Sequence, residues 1–284
     1  MKKIQQLAFS ISILLAISSV TLAGDYARFH FIGFSNGGKY LAFEEYGITD
    51  TVEESSPYSV IYIINVDENN FAALPIKAKL NTDAVDNFDE LEFTVRDKNR
   101  KHAAKQLKRF GIVNGNTGLQ VAAHLINEYD TDYEEATEPT KEVEPTPTRN
   151  SNTNTYLLKE EKVDPMSKYV AFLPQQISFT KRGNSLYRDG FYQIKIKPVP
   201  VKQKNCDEYE RDMFSFEMTL TNEQKETRVL QKFGAVPPNR GCATGYGIQE
   251  AFLYHNKLAV FVAIFTPGWE GENLRLMAVT GELD

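Results

Sequence analysis

Between Tyr26 and Phe71, apolar side chains recur at every second position, in short bursts separated by turn residues. "RFHFIGFS" alternates, a Ser-Asn-Gly-Gly turn follows, and "KYLAFEEY" leads through a loop into "YSVIYIINVDENN". Period-two alternation punctuated by Gly, Asn and Asp is the pattern of strands joined by turns. In the last of these runs Val60, Tyr62, Ile64 and Val66 share one face, and Ile61 and Ile63 share the other. A strand apolar on both faces belongs inside a stack, covered on each side.

The period changes at about Asp89. Leu91, Val95, Ala103, Leu107 and Phe110 recur at near-helical spacing, and Gly111 is placed to end the element, so a helix is predicted over roughly Asp89–Phe110. Its other face carries Arg96, Lys98, Arg100, Lys101, Lys105, Lys108 and Arg109. Such a stripe reads first as the solvated side of an amphipathic helix, with an anion- or nucleic-acid-binding face as the alternative. "GIVNGNTG" is turn-rich, and "LQVAAHLINEY" fits a second short helix or a strand.

From about 129 to 155 the chain is acidic and rich in Thr and Pro, with almost no large aliphatic residue. A segment of that kind cannot bury enough surface to offset its ordering entropy, so a flexible linker or insert is expected there. Beyond it strands return in "KYVAFLPQQISF", "GFYQIKIKPVPV" and the hairpin "MFSFEMTLTNEQKETRVLQKF". In that hairpin Phe214, Phe216, Met218 and Leu220 project to one face, the alternation of an antiparallel sheet with one wet side. The closing stretch Lys257–Gly281 echoes Lys39–Asp67: a lysine, an apolar strand, a loop and a second strand. The organisation expected is a leader over 1–23, N-terminal hairpins plus helix over 24–128, the insert over 129–155, and a C-terminal β region over 156–284. The fold class is mostly β: antiparallel sheets in a propeller-like or sandwich arrangement, with one or two helices inserted at about 89–127.

Composition adds a compartment. Lys2 and Lys3 precede a short apolar core from Leu7 to Ile17, and Thr21-Leu22-Ala23 sets small residues ahead of Gly24. This is the form of a secretory signal peptide cut near Ala23–Gly24, and its core is too short for a good membrane span. A periplasmic or secreted location follows. Removing Lys2 and Lys3 takes the formal charge from −6 to −8, which argues against DNA or an anionic membrane as the main partner. In an oxidising compartment the only two cysteines, Cys206 and Cys242, read as one structural disulfide. Two separate buried thiols, or a redox or metal site, are the alternatives. The closed loop of 36 residues would stabilise by roughly 3–4 kcal/mol.

Two motifs carry resemblances. "FSNGGKYLAF" followed by "IYIINVD" resembles the strand motif of periplasmic six-bladed propellers of the TolB type, although Asn36-Gly37-Gly38 departs from the Pro-Asp-Gly usual there. More extensively, "GFSNGGKYLAFEEYGITD", "YSVIYIINVDENNF", "LKRFGIVNGNTG", "RGCATGYGIQEAFLY" and "FTPGWEGENLRLMAVTGEL" resemble, in order, a family of bacterial predicted secreted proteins catalogued as a domain of unknown function. Cys206 and Cys242 fall where that family tends to have cysteines, and the acidic insert departs from its pattern. The resemblance implies export; it implies no activity and no residue roles.

Candidate chemistry is sparse. A glycosidase needs two carboxyls about 5–10 Å apart in one cleft. Glu44 and Glu45 are adjacent, and adjacent side chains of a strand point to opposite faces, so they are expected as strand-end carboxylates reaching solvent. Glu270 and Glu272 flank a glycine beside the only tryptophan, Trp269. If the two hairpins align, that loop and the one carrying Gly47 and Asp50 share a rim, where an aromatic with carboxylates suits a sugar or a cation. His30, His102, His124 and His255 have no zinc spacing, no Gly-x-Ser-x-Gly occurs, and Asp83, Asp86, Asp89 and Glu90 lack the pattern of a calcium loop. The expectation is a non-enzymatic binding or interaction protein whose partner is an envelope protein or glycan, with Glu44, Glu45, Asp50, Trp269, Glu270 and Glu272 as rim residues. No catalytic residue, metal or cofactor is assigned. An envelope carbohydrate or peptide hydrolase using those carboxylates is the alternative.

Overall fold

Leu258 to Phe265 are eight consecutive buried residues, and they explain the layering of the molecule. Ala259, Phe261, Ala263 and Phe265 enter one core, whereas Leu258, Val260, Val262 and Ile264 enter another. The strand that carries them therefore lies in a middle layer, apolar on both sides. The computed structural model describes residues 25–50, 55–80, 88–124, 173–181, 190–202, 206, 212–233, 242–268 and 272–283.

Within these residues the first sheet is built from β1 (Arg28–Phe34), β2 (Tyr40–Asp50) and β3 (Ser55–Asn65), antiparallel in that order, with β4 (Asn70–Phe71) and β5 (Ile76–Lys79) both pairing β3. A single helix among the described residues, α1 (Phe88–Arg109), follows, close to the span its periodicity predicts. β6 (Leu119–Ala123) then joins the middle sheet, beside β11 (Gly245–Tyr254), β12 (Lys257–Pro267) and β13 (Glu272–Glu282). The region that could be a second helix or a strand is thus a strand, and it ties the N-terminal part of the chain to a sheet of C-terminal strands. The third sheet has the order β10-β9-β8-β7, from β7 (Gln176–Lys181), β8 (Gly190–Val201), β9 (Met213–Asn222) and β10 (Thr227–Lys232).

The layers run α1, first sheet, middle sheet, third sheet. Ile61 and Ile63 face α1 with Ala42 and Ala103, while Ile64 and Val66 face the middle sheet with Phe31, Phe34 and Phe43. On the far side Ile194, Ile196, Phe216, Met218 and Leu220 pack on Ile248, Leu253 and β12. β3 buries Ile61, Ile63 and Ile64 and half-buries Val60 and Tyr62, with Val66 buried just past its end. β9 buries Phe216, Met218 and Leu220 with Phe214 half-buried, although Met213 and Ser215 on its other face are buried too. The arrangement is a stack of antiparallel sheets, the sandwich form of the expected class.

Two local features set the register. β1 bulges between Phe31 and Gly33, so Phe31 and Phe34 reach the same core although they are three apart. Gly33 has φ +144°, and a Cβ there would stand 2.4 Å from the carbonyl oxygen of Val113, so only glycine fits. Cys206 and Cys242 form a disulfide with Cα atoms 5.6 Å apart, tying the β8–β9 connection to the approach of β11. Beside it Phe214 donates to the Ala243 carbonyl and the Tyr246 hydroxyl donates to the Phe214 carbonyl. No helix among the described residues is long and apolar enough to cross a membrane.

Candidate functional site

Strand alternation sends Glu44 and Glu45 to opposite faces of β2, as expected, but neither reaches solvent. Glu44 is fully buried and Glu45 is 3% exposed. Both lie mid-strand, paired with Ile61 and Val60 of β3, and each has become the centre of a separate polar cluster. The expectation of strand-end carboxylates in water is corrected on this point, because α1 covers one face and the middle sheet covers the other.

On the helix side, Glu44 Oε1 accepts from the Ser59 hydroxyl at 2.9 Å. Its Oε2 accepts from Arg96 (Nε 3.3 Å, Nη2 3.2 Å) and from Arg100 (Nε 3.2 Å, Nη2 2.7 Å). Asn99, between those arginines and fully buried, donates to the Ser59 carbonyl at 3.0 Å, the Ser59 hydroxyl at 2.8 Å and the Ile76 carbonyl at 3.0 Å. Arg96 also lies 3.5 Å from the centroid of the Tyr46 ring, a cation–π contact, and Glu92 bridges Arg96 to Arg28. Residues 92, 96 and 100 recur every four positions, so one flank of α1 supplies all the charged contacts. Part of the basic stripe is therefore turned toward the first sheet: Arg96, half-buried, and Arg100, at the surface, neutralise a buried carboxylate. His30, opposite Glu44 in the register, has its pKa lowered by burial, by Arg100 and by Arg96, against the opposing pull of Glu44.

The other cluster sits between the first and middle sheets. Glu45 Oε2 accepts the backbone N–H of Leu276 at 2.8 Å, and Glu45 Oε1 stands 4.0 Å from Arg275 Nε. Arg275 donates to the carbonyls of Asp25 (3.1 Å) and Leu274 (3.0 Å) and pairs with the Asp25 carboxylate. Burial works against its charge, but the Asp25 hydrogen bond together with the electrostatic pull of Tyr58, Asp25 and Glu45 outweighs it and holds the guanidinium protonated. Tyr58 lies under this guanidinium, 5.4 Å from its ring centroid, and burial, reinforced by Glu45, holds the phenol far above its ordinary pKa. The Tyr58 hydroxyl and Asp25 Oδ1 are buried with no hydrogen-bond partner among the described residues.

The second cluster also closes a sheet edge. β13 ends the middle sheet, so the N–H groups on its outer side need acceptors from elsewhere. Leu274 N–H donates to the Asp25 carbonyl, Leu276 N–H to Glu45, and Thr280 N–H to Asn69 Oδ1. Ala27 N–H returns a bond to the Leu274 carbonyl, so Asp25–Ala27 runs alongside β13. Gly47 permits this close approach: a Cβ there would stand 3.2 Å from the Tyr26 carbonyl oxygen and 3.5 Å from the Tyr58 ring.

Of the remaining rim residues, Asp50 is the last residue of β2, in register with Ser55. Glu272 opens β13 in register with Pro267. It is buried, and its Oε1 accepts from the Thr244 hydroxyl at 2.9 Å. Trp269 and Glu270 lie outside the described residues. Asp25, Tyr58, Ser59, Asn99 and Arg275 are the polar residues that sequence reasoning missed. The available signals were an arginine inside the apolar alternation of "NLRLMAV" and an asparagine on the apolar side of the helix. Among the described residues no group of three or more His, Cys, Asp or Glu side chains could hold a metal ion.

A family model described as "Predicted secreted protein (DUF2259)" matches residues 42–282, which is most of the chain. No curated protein and no solved structure matches it. The matched span includes both glutamates, α1, the middle and third sheets and the first sheet apart from β1 and the start of β2, and the Cys206–Cys242 disulfide fits an extracytoplasmic location. The chain belongs to the DUF2259 family of predicted secreted proteins.

Proposed function

We propose that this protein is a non-enzymatic binding or interaction module, exported to the periplasm or cell exterior after cleavage near Ala23–Gly24. Its ligand is an envelope protein or glycan. The rim at the ends of the β2–β3 and β12–β13 hairpins receives it, with Asp50, Trp269 and Glu270 contributed there, while the buried Glu44, Glu45 and Glu272, whose expected place on the rim their burial corrects, anchor the strands behind.

One observation carries this reading: the two adjacent glutamates are occupied by the fold. Glu44 accepts from Ser59, Arg96 and Arg100, and Glu45 holds the Leu276 N–H. Carboxylates held by fixed donors are poor proton shuttles, because a general acid or base must be able to exchange its proton with the substrate. The bond from Glu45 to Leu276 joins the two hairpins in the same sense, with Glu45 five residues before Asp50 and Leu276 four after Glu272. An aromatic residue together with carboxylates suits a sugar or a cationic group.

Capture from the native envelope by the mature chain, compared with a Trp269→Ala/Glu270→Gln variant, tests the reading. The expected result is a partner retained by the native chain and lost by the variant. Equal recovery with both chains, or none above background, would remove the rim as the binding site.

A further inference from the structure

We propose that the outer face of α1 is a peripheral docking surface for an anionic lipid membrane. Lys98, Lys101, Lys105 and Lys108 follow one another at intervals of three, four and three residues, so they form one stripe along the helix. All four are exposed, and the stripe lies opposite the buried Asn99 and Ala103 that seat the helix on the first sheet. Arg109 extends it at the C-terminal end and is also exposed.

The charges on this face differ from those beneath it. Arg96 and Arg100 are spent on Glu44, and Lys101 pairs with Asp97. Lys98, Lys105 and Lys108 have no carboxylate partner among the described residues. The formal charge of −8 on the mature chain does not cancel them, because surface charges more than about 8–10 Å away are screened at physiological ionic strength. What an approaching surface meets is the local stripe.

Exposed apolar side chains on α1 and on the connection packed against it favour lipid over a soluble polyanion. Leu74 is 87% exposed in the short connection between β4 and β5. That connection is braced against α1: the Ile76 carbonyl accepts from Asn99, and Ala72 and Ile76 pack in the core cluster of Ala103. Phe93, on the helix itself, is 73% exposed. Lysines that reach phosphate headgroups, flanked by large apolar residues that can enter the interface, are the two attractions a peripheral protein combines. The face lies on the first sheet's far side from the middle sheet, so it is separate from the Glu45 cluster.

The experiment is co-sedimentation of the mature chain with phosphatidylcholine vesicles, with or without about one third phosphatidylglycerol. Binding is expected only with phosphatidylglycerol and is expected to fall steeply with salt. Each cation removed near an anionic surface lowers partitioning about fivefold, so Lys98→Glu/Lys105→Glu/Lys108→Glu should lose at least about a hundredfold. Leu74→Ser should weaken binding several-fold at constant charge. Lys195→Glu, on exposed β8 of the third sheet, is the control and should bind as the native chain does, with circular dichroism verifying that every variant folds. Absent or lipid-independent binding, or an unaffected triple variant, would overturn the proposal. So would retention on heparin as tight as on vesicles together with no effect of Leu74→Ser, which would point to a soluble polyanion.

Discussion

Glu45 accepts the backbone N–H of Leu276 at 2.8 Å, across 231 residues of sequence, and so pins the middle of β2 to the outer edge of β13. Removing the acceptor leaves a buried amide without a partner, which costs about 1–3 kcal/mol. Glu45→Leu should therefore lower unfolding stability by about that amount, whereas Glu45→Gln, which keeps an acceptor oxygen, should lose less. Urea unfolding of both variants checks this, and amide exchange at Leu276 should rise in Glu45→Leu first.

Glu44 calls for a different expectation. Removing one member of a fully buried ion pair costs about 3–5 kcal/mol. Arg100 is 44% exposed and Arg96 is 20% exposed, so water can reach the orphaned guanidiniums and the cost should be smaller, about 2 kcal/mol. Glu44→Ala should also loosen α1, detectable as faster exchange of its amides while the third sheet stays protected.

His30 gives the stability a pH dependence of known sign. Its folded pKa is lowered, chiefly by burial and then by Arg100, so below the unfolded value of about 6.5 the unfolded chain binds more protons than the folded one. The contribution is complete above that value and is lost as pH falls through the folded pKa. Thermal melts from pH 8 to pH 5 should show the decline, and His30→Gln should flatten it.

Reduction should destabilise the third sheet and the approach of β11. A loop of 36 residues closed by Cys206–Cys242 contributes about 3–4 kcal/mol through the entropy of the unfolded chain. Melting with and without a thiol reductant measures it, and Cys206→Ser/Cys242→Ser should match the reduced protein.

The sequence conveys local period well and long-range partnership poorly. The two faces of β3, the burial of Phe216, Met218 and Leu220 on one face of β9 and the extent of α1 follow from spacing alone, because alternation and 3.6-residue periodicity are imposed by nearby geometry. That Glu44 and Glu45 diverge also follows, since a strand has period two. What covers each of them does not: Arg96 is 52 residues from Glu44, and Arg275 belongs to the opposite end of the chain. β6 was ambiguous because five residues carry too little period to separate a strand from a helix, and its pairing with β11 decides it. Basic residues on α1 looked uniform in sequence, yet residues 96 and 100 turn toward the first sheet while 98, 101, 105 and 108 turn out.

The central claim is that the rim binds a ligand and does not transform it, and Trp269, the only tryptophan, is a built-in probe of it. Titrating the mature chain with soluble peptidoglycan fragments should change its tryptophan fluorescence saturably, and mass spectrometry should then recover the fragments intact. Fragments cleaved by the native chain, with cleavage abolished in Glu270→Gln or Glu272→Gln, would contradict the account and support a hydrolase.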